Sequence, residues 1–308
     1  MRLLFTTLLF FATILHTLAI STLLQKDRPR RVSKKLKIQP SDETPTPIQE
    51  LHLPSTNRRL IIIGDVHGSL EPFEKLLEKL NYNSEYDHLV LTGDIIGKGS
   101  HSIETLQKAK DIGASCVRGN HDNLLLEWKH FLFKLSNSNI TTKDQAFPSD
   151  FKPKSPYYTL ARNLDEELYN YLNSCPYILS VPQHSLYILH AGIDPSFSIH
   201  KQDPNVVMNV KNILPDGSPS RNNKLGKHWS VLWNLKQEML GRNATTIVYG
   251  HQASRGLNIK PYSIGLDTGC VYGRHLTSMA FPGNKLLSVN CKRNTRKSLT
   301  FLPAVNDF

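Results

Sequence analysis

Five times between residues 60 and 252 an apolar run ends in a short cluster of glycine with aspartate, histidine or asparagine. The clusters are Gly64-Asp65-Val66-His67-Gly68, Gly93-Asp94-Ile95-Ile96-Gly97-Lys98-Gly99, Arg118-Gly119-Asn120-His121-Asp122, His190-Ala191-Gly192 and Gly250-His251-Gln252. A run such as Leu60-Ile61-Ile62-Ile63 stopped by glycine reads as a strand buried on both faces. Glycine lets the chain turn sharply, so oxygen and nitrogen donors are presented where the strand ends. A single histidine at a strand end is usually a hydrogen-bonded structural residue. Five such clusters in series imply that the fold brings the donors to one edge.

Helical spacing fills the intervals. Phe73, Leu76, Leu77 and Leu80 recur at helical period behind a Ser69 cap. Ser102 is the expected cap of a helix over 103–112, stopped by Gly113, and a further helix covers 122–135. Strands are expected at 88–91 and 115–117. After a polar insertion over 136–156 come a helix over 162–172 and strands over 177–181 and 186–189. Residues 195–228 read as a second irregular insertion. A helix over 230–240 precedes strands at 246–249, 263–266, 277–281 and 285–289, the last two a hairpin through Pro282-Gly283-Asn284. Early strand–helix alternation followed by late strands implies a mixed α/β fold with helices outside the sheets.

The composition allows one such domain. Apolar residues are 39% and charged residues 20% of the 308, which excludes a multi-span membrane protein and a wholly disordered chain. Cys116, Cys175, Cys270 and Cys291 are too few for a disulfide scaffold and contain no CxxC pair. Residues 1–59 carry ten Lys and Arg against four Asp and Glu, more than half of the net charge of +11. The remainder is mildly basic, which fits an anionic substrate and fits a solvated surface equally well.

Residues 3–24 hold no Asp, Glu, Lys or Arg. As a helix they rise about 33 Å, close to the thickness of a hydrocarbon core. Residues 1–24 are read as one N-terminal transmembrane helix, a signal anchor. A cleaved signal peptide, with Thr17 and Ala19 at the cut, is the other reading. Residues 25–59 read as a basic, disordered Pro/Ser/Thr stalk and residues 60–308 as the folded domain. The basic flank from Lys26 to Lys37 favours a cytosolic stalk. The sequons at Asn139 and Asn243 favour a lumenal, glycosylated domain, which is the expectation adopted.

In order, GDxHG, GDxxxKG, RGNHD, HAG and GH resemble the calcineurin-like metallophosphoesterases over nearly all of residues 60–290. The resemblance implies a four-layer αββα sandwich with two divalent metal ions between its sheets. Asp65 and His67 would bind the first ion, Asp94 would bridge both, and Asn120, His190 and His251 would complete the second. His121 would be the general acid that protonates the leaving oxygen. Water activated by the two ions would attack phosphorus in line. Histidine ligands suit zinc, manganese, cobalt or iron over calcium, with zinc expected. Arg118, then Lys98 and Lys211, would neutralise the transferred phosphate. Arg221, Lys224, Lys227, Arg255 and Arg274 would hold the rest of a long polyanion.

Ser/Thr protein phosphatases of the same superfamily carry an acidic residue in place of Gly97 and arginine in place of Lys98. That acid orients the catalytic histidine, so what orients His121 is left open. The 93–99 cluster and Leu266-Asp267-Thr268-Gly269-Cys270-Val271-Tyr272-Gly273 are similar instead to the ApaH-like phosphatase branch. With the apolar N-terminus, this implies a single-pass protein of the vacuole membrane with its domain in the lumen. Its substrate would be inorganic polyphosphate, cut at internal phosphoanhydride bonds, with no nucleic acid partner. The alternatives are dinucleoside polyphosphates or an RNA cap, which need a base-stacking surface; a phosphoprotein; and an inactive, tethered polyanion-binding module. Cys270 reads as a small buried residue, and in a lumenal domain a Cys270–Cys291 disulfide is open to it.

Overall fold

A computed structural model of the protein describes residues 48–53, 58–136 and 155–292. The apolar segment 3–24, most of the expected stalk, the sequon at Asn139 and nearly all of the insertion over 136–156 lie outside the described residues. Among the described residues no helix is long and apolar enough to cross a membrane. In chain order the elements begin β1 (Ile48–Glu50), β2 (Arg59–Ile63), α1 (Leu70–Lys79), β3 (Asp87–Leu91), α2 (Ser102–Asp111), β4 (Ser115–Cys116) and α3 (Asn120–Ser136). There follow α4 (Pro156–Asn163), α5 (Glu166–Ser174), β5 (Ile178–Val181), β6 (Leu186–Leu189), α6 (Pro204–Asn209), β7 (Asn212–Ile213), β8 (Pro219–Ser220) and β9 (Lys227–His228). The last are α7 (Trp229–Leu240), β10 (Thr246–Tyr249), β11 (Asn258–Lys260), β12 (Ser263–Gly265), β13 (His275–Phe281) and β14 (Lys285–Asn290).

Two mixed sheets dominate, in the orders β14-β13-β2-β3-β4 and β1-β5-β6-β10-β12-β11. Strand alternation divides the apolar runs between three cores. Leu60 and Ile62 pack with Leu179, Ile188 and Val248, which joins the sheets face to face. Ile61 and Ile63 point the other way, onto Phe73, Leu76 and Trp128 of the helices. Beyond the second sheet, Ile247 and Tyr249 meet Trp229 and Trp233 of α7. The order is therefore helices, sheet, sheet, helices. Because both faces are covered, β2 is apolar at successive positions rather than at alternate ones. Truncating a fully buried residue such as Ile62 to alanine would cost roughly 2–5 kcal/mol.

Several elements differ from the expectation. The helix expected over 162–172 is two helices: Asp165 interrupts it by accepting the Leu168 N–H at 2.8 Å as an N-cap. Ser102 does not cap α2; its hydroxyl accepts the Gly97 N–H at 3.0 Å. Residues 195–228 are not irregular, since they contain α6 and a small sheet in the order β8-β7-β9. Within the expected stalk, Ile48–Glu50 pairs in parallel with Ile178–Ser180. The polar character of that strand reflects its place at the edge of its sheet.

Candidate metal centre

β2, β3 and β4 run parallel to one another, and β6 runs parallel to β10. Asp65 and His67 follow β2, Asp94 follows β3, and Asn120 opens α3 just beyond β4. His190 follows β6 and His251 follows β10. Ligand atoms of His67, Asp94 and His121 lie within 4.8 Å of one another, as do those of Asp94, His190 and His251. Asp94 belongs to both groups. Its Oδ2 is 3.4 Å from His67 Nε2 and its Oδ1 is 3.4 Å from His190 Nε2, the arrangement of a bridging carboxylate. Asp65 Oδ2 stands 3.8 Å from His67 Nε2. Asn120 Oδ1 lies 3.1 Å from both His190 Nε2 and His251 Nδ1. The six expected ligands thus converge; His121, expected as the acid and not as a ligand, falls within the first donor group, whereas Asp65 falls in neither.

Backbone strain is concentrated here. His67, Asp94, Lys98 and His251 have φ of 50°, 50°, 60° and 68°, a region that costs non-glycine residues about 1–3 kcal/mol each. Surrounding bonds hold them there. The His251 N–H donates to Asp65 Oδ1 at 3.0 Å, and the His121 N–H to Asp94 Oδ1 at 2.9 Å. Nδ1 of His67 donates to the Ile96 carbonyl at 3.1 Å, and Nδ1 of His190 to the Thr92 carbonyl at 2.8 Å. Those bonds fix the tautomer that leaves each Nε2 as a donor to a metal. Asp122, buried, ties two loops together: it accepts the Ile95 N–H at 3.0 Å and the Gly119 N–H at 3.0 Å. At Gly250 a Cβ would stand 2.0 Å from Asp65 Oδ1, so only glycine lets this backbone approach the ligand.

The electrostatics fit divalent cations. Asp65, Asp94 and Asp267 are all buried in the same region. Burial, then the charge of Asp267, pushes the Asp65 carboxyl well above the usual carboxylate range. Burial opposes ionisation of Asp94, yet His190, His121 and His67 together hold it well below that range. Burial likewise opposes charge on His190, but the Asp94 carboxylate pushes it up to about 10. Burial holds His67 down to about 3, as a neutral donor. Carboxylates that draw protons onto their neighbours form a surplus of negative charge that metal ions neutralise in place of protons. Carboxylate, imidazole and amide donors together match zinc, manganese, cobalt or iron.

A cleft of about 450 Å³ opens over the cluster, with Asp94, Asn120, His121 and His251 in its lining. Lys98, Lys211 and Arg274 line it too. Lys98 Nζ lies 2.8 Å from His67 Nε2 and 5.7 Å from the centre of the Tyr272 ring. Arg118 is seated elsewhere. Its guanidinium donates to the Asn173 backbone and side chain and lies 5.2 Å over the Tyr177 ring, and it does not line the cleft. Arg255 is held by Gln252 and Asn212, while Arg221, Lys224 and Lys227 are exposed.

Four site features have no role assigned by the sequence motifs, although two of them, Asp267 and Tyr272, lie within the 266–273 motif. Asp267 lines the cleft, and its position just after β12 repeats the placement of the other clusters at strand ends. The exposed Tyr272 ring lines it as well. The Tyr157 hydroxyl bonds His121 Nδ1 from α4, and nothing local in the sequence marks it. A disulfide joins Cys116 to Cys175, alongside the Cys270–Cys291 bridge.

Two sheets that present a shared carboxylate between two donor groups define a binuclear metallophosphoesterase. The chain belongs to the calcineurin-like phosphoesterase family, whose pattern matches residues 58–274. Its relatives include the symmetrical bis(5'-nucleosyl)-tetraphosphatase of Psychromonas ingrahamii, 28% identical over 75% of this chain and 96% of that protein. They also include the zinc-dependent endopolyphosphatase of Saccharomyces cerevisiae, 28% identical over 88% of this chain and 89% of that protein. A crystal structure provisionally named a diadenosine tetraphosphatase superposes with a TM-score of 0.65. It is 32% identical and is matched over 79% of this chain and 97% of its own.

Proposed function

We propose that this metallophosphoesterase hydrolyses internal phosphoanhydride bonds of inorganic polyphosphate. When bound, two divalent ions supply an activated water and polarise the phosphoryl oxygens. The protein's own residues do the rest. Asp65, His67, Asp94, Asn120, His190 and His251 hold the ions. His121, which lines the cleft beside them, gives its proton to the leaving oxygen. The observation that carries the substrate reading is that Lys98, Lys211 and Arg274 line the same cleft as Asp94, Asn120 and His251. Successive phosphates of a polyanion meet fixed positive charge there as they leave the ions. Arg118 is proposed as a further phosphate contact that would leave Asn173 to engage substrate.

A second reading rests on Tyr272. Its ring is 52% exposed and lines the cleft, a surface on which a nucleobase can stack. That favours a dinucleoside polyphosphate, the substrate class named for other relatives. The deciding experiment incubates purified protein, loaded with zinc, manganese or cobalt, with long-chain polyphosphate and separately with diadenosine tetraphosphate. A ladder of intermediate polyphosphate lengths on a gel is the expected product. Rapid cleavage of the dinucleotide with the polymer untouched would replace the first reading by the second.

The proposal extends to location: residues 3–24 anchor the chain in a vacuolar membrane and the domain lies in the lumen. Two disulfides among four cysteines support this, because such bridges persist in oxidising compartments. Asn243, exposed at the end of α7, is open to glycosylation. In sealed vacuoles a C-terminal tag should resist protease until detergent is added; digestion without detergent would place the domain in the cytosol.

A further inference from the structure

We propose that Tyr157 is the positioning residue of His121, filling the place that glycine leaves open at position 97. The Tyr157 hydroxyl hydrogen-bonds His121 Nδ1, and the two rings stack with centroids 5.8 Å apart and planes 27° from parallel. The space is exclusive. A Cβ built on Gly97 would stand 2.4 Å from the Tyr157 hydroxyl and 3.4 Å from His121 Nδ1. Gly97 itself has φ of 86°, and its N–H is held by the Ser102 hydroxyl, so the loop is fixed with its open side toward the tyrosine. His121 is thus gripped at two points, through its N–H by Asp94 Oδ1 and through Nδ1 by Tyr157.

The contact sets the direction of the ring: in the acid form the imidazolium Nδ1–H donates to the Tyr157 phenol oxygen. With Nδ1 engaged by the phenol, Nε2 is the nitrogen free to exchange a proton in the cleft. The step balances: an oxygen from water, one proton already lost to solvent, bonds to phosphorus as the bond to the leaving oxygen breaks. The electron pair stays on the leaving oxygen, and the imidazolium Nε2 proton of His121 passes to it, leaving a neutral imidazole. Tyr157 neither gains nor loses a proton overall. Because the partner is a neutral phenol rather than a carboxylate, it orients the imidazole without adding a negative charge beside it.

The inference rests on His121 acting as general acid, so the test separates the two. Tyr157→Phe, His121→Ala and the double variant of the full chain are assayed, with metal content measured, on tripolyphosphate and on p-nitrophenyl phosphate. The nitrophenolate leaves without needing a proton. The loss of one neutral hydrogen bond predicts a fall in kcat on tripolyphosphate of about tenfold for Tyr157→Phe. The same variant should change p-nitrophenyl phosphate turnover less than about threefold, keep its metals, and add nothing to His121→Ala. An unchanged rate on tripolyphosphate, an equal loss on both substrates, or a loss that multiplies with His121→Ala overturns the positioning role alone. If His121→Ala itself slows both substrates equally, the general-acid reading falls and takes this proposal with it.

Discussion

The two walls of the cleft are built differently. The proposed metal wall rises from strand ends: its expected ligands are mostly buried, three of them sit in left-handed backbone conformations, and hydrogen bonds hold them in place. The phosphate wall rises from loops. Lys211 precedes the two-residue strand β7, and Tyr272 and Arg274 lie between two strands on a turn entered through Gly269. Each wall has its own disulfide, Cys116–Cys175 just ahead of the Asn120 loop and Cys270–Cys291 within the Tyr272 turn. Chemistry needs sub-ångström placement, and the rigid wall supplies it. Recognition of a repeating anion tolerates looser geometry, and the loop wall is where substrate choice can vary.

Breaking the metal wall should have the largest effect. Asp94→Asn removes charge from the one residue common to both donor groups. Turnover should fall by on the order of 10⁴ or more, since both nucleophile activation and clamping depend on the pair of ions. Metal analysis of the purified variant should show fewer than two ions per chain. Near-normal activity at full metal loading would show that the groups do not act as one centre.

The disulfides test whether each wall depends on its own bridge. The Cys116–Cys175 bridge spans 59 residues and Cys270–Cys291 spans 21. Loop-closure entropy then predicts losses of about 4 and about 3 kcal/mol when each pair is replaced by alanine. Denaturant titration measures the order. Among molecules still folded, loss of the first bridge should impair kcat and loss of the second should raise KM. The reverse assignment would break the comparison.

Lys211→Ala with Arg274→Ala probes the phosphate wall directly. Both side chains line the cleft, and neither belongs to the ligand set. Their joint removal should raise KM for long polyphosphate roughly 10–100-fold and steepen its dependence on chain length, at nearly constant kcat. High salt should narrow the difference from the parent protein, because exposed cationic contacts are screened. A fall in kcat without a change in KM would move these residues into the chemical step.

Most of the metal wall was legible in the sequence. Strands covered on both faces leave continuous apolar runs, and glycine followed by Asp or His marks where they end. What was not legible depended on contacts between distant segments. Tyr157 reaches His121 across 36 residues, from a helix whose start lies beyond a polar stretch. Arg118 stands two residues before Asn120 in sequence, yet its side chain is drawn to Asn173 and Tyr177, more than 50 residues further along the chain. The small sheet of β7, β8 and β9 was missed because its two-residue strands show no alternation. Ile48–Glu50 reads as stalk because an edge strand of three residues has little to bury.

Tyr272→Ala should have the smallest effect on polyphosphate, and its value lies in the contrast between substrates. The ring lines the cleft with Lys98 Nζ 5.7 Å from its centre, so its removal costs a weak cation–π contact and little else in a polymer of phosphates. The rate on polyphosphate should stay within about a factor of two, since exposed contacts of that kind contribute well under 1 kcal/mol. On a dinucleoside tetraphosphate the same change removes a stacking surface, and kcat/KM should fall at least fivefold, given about 1–3 kcal/mol per stacked base. Competition assays with both substrates in one tube give the ratio directly. Equal losses on the two would mean that Tyr272 shapes the loop without touching a base. A large loss on the dinucleotide alone would show that this loop wall carries the discrimination, while the metal wall serves both substrates alike.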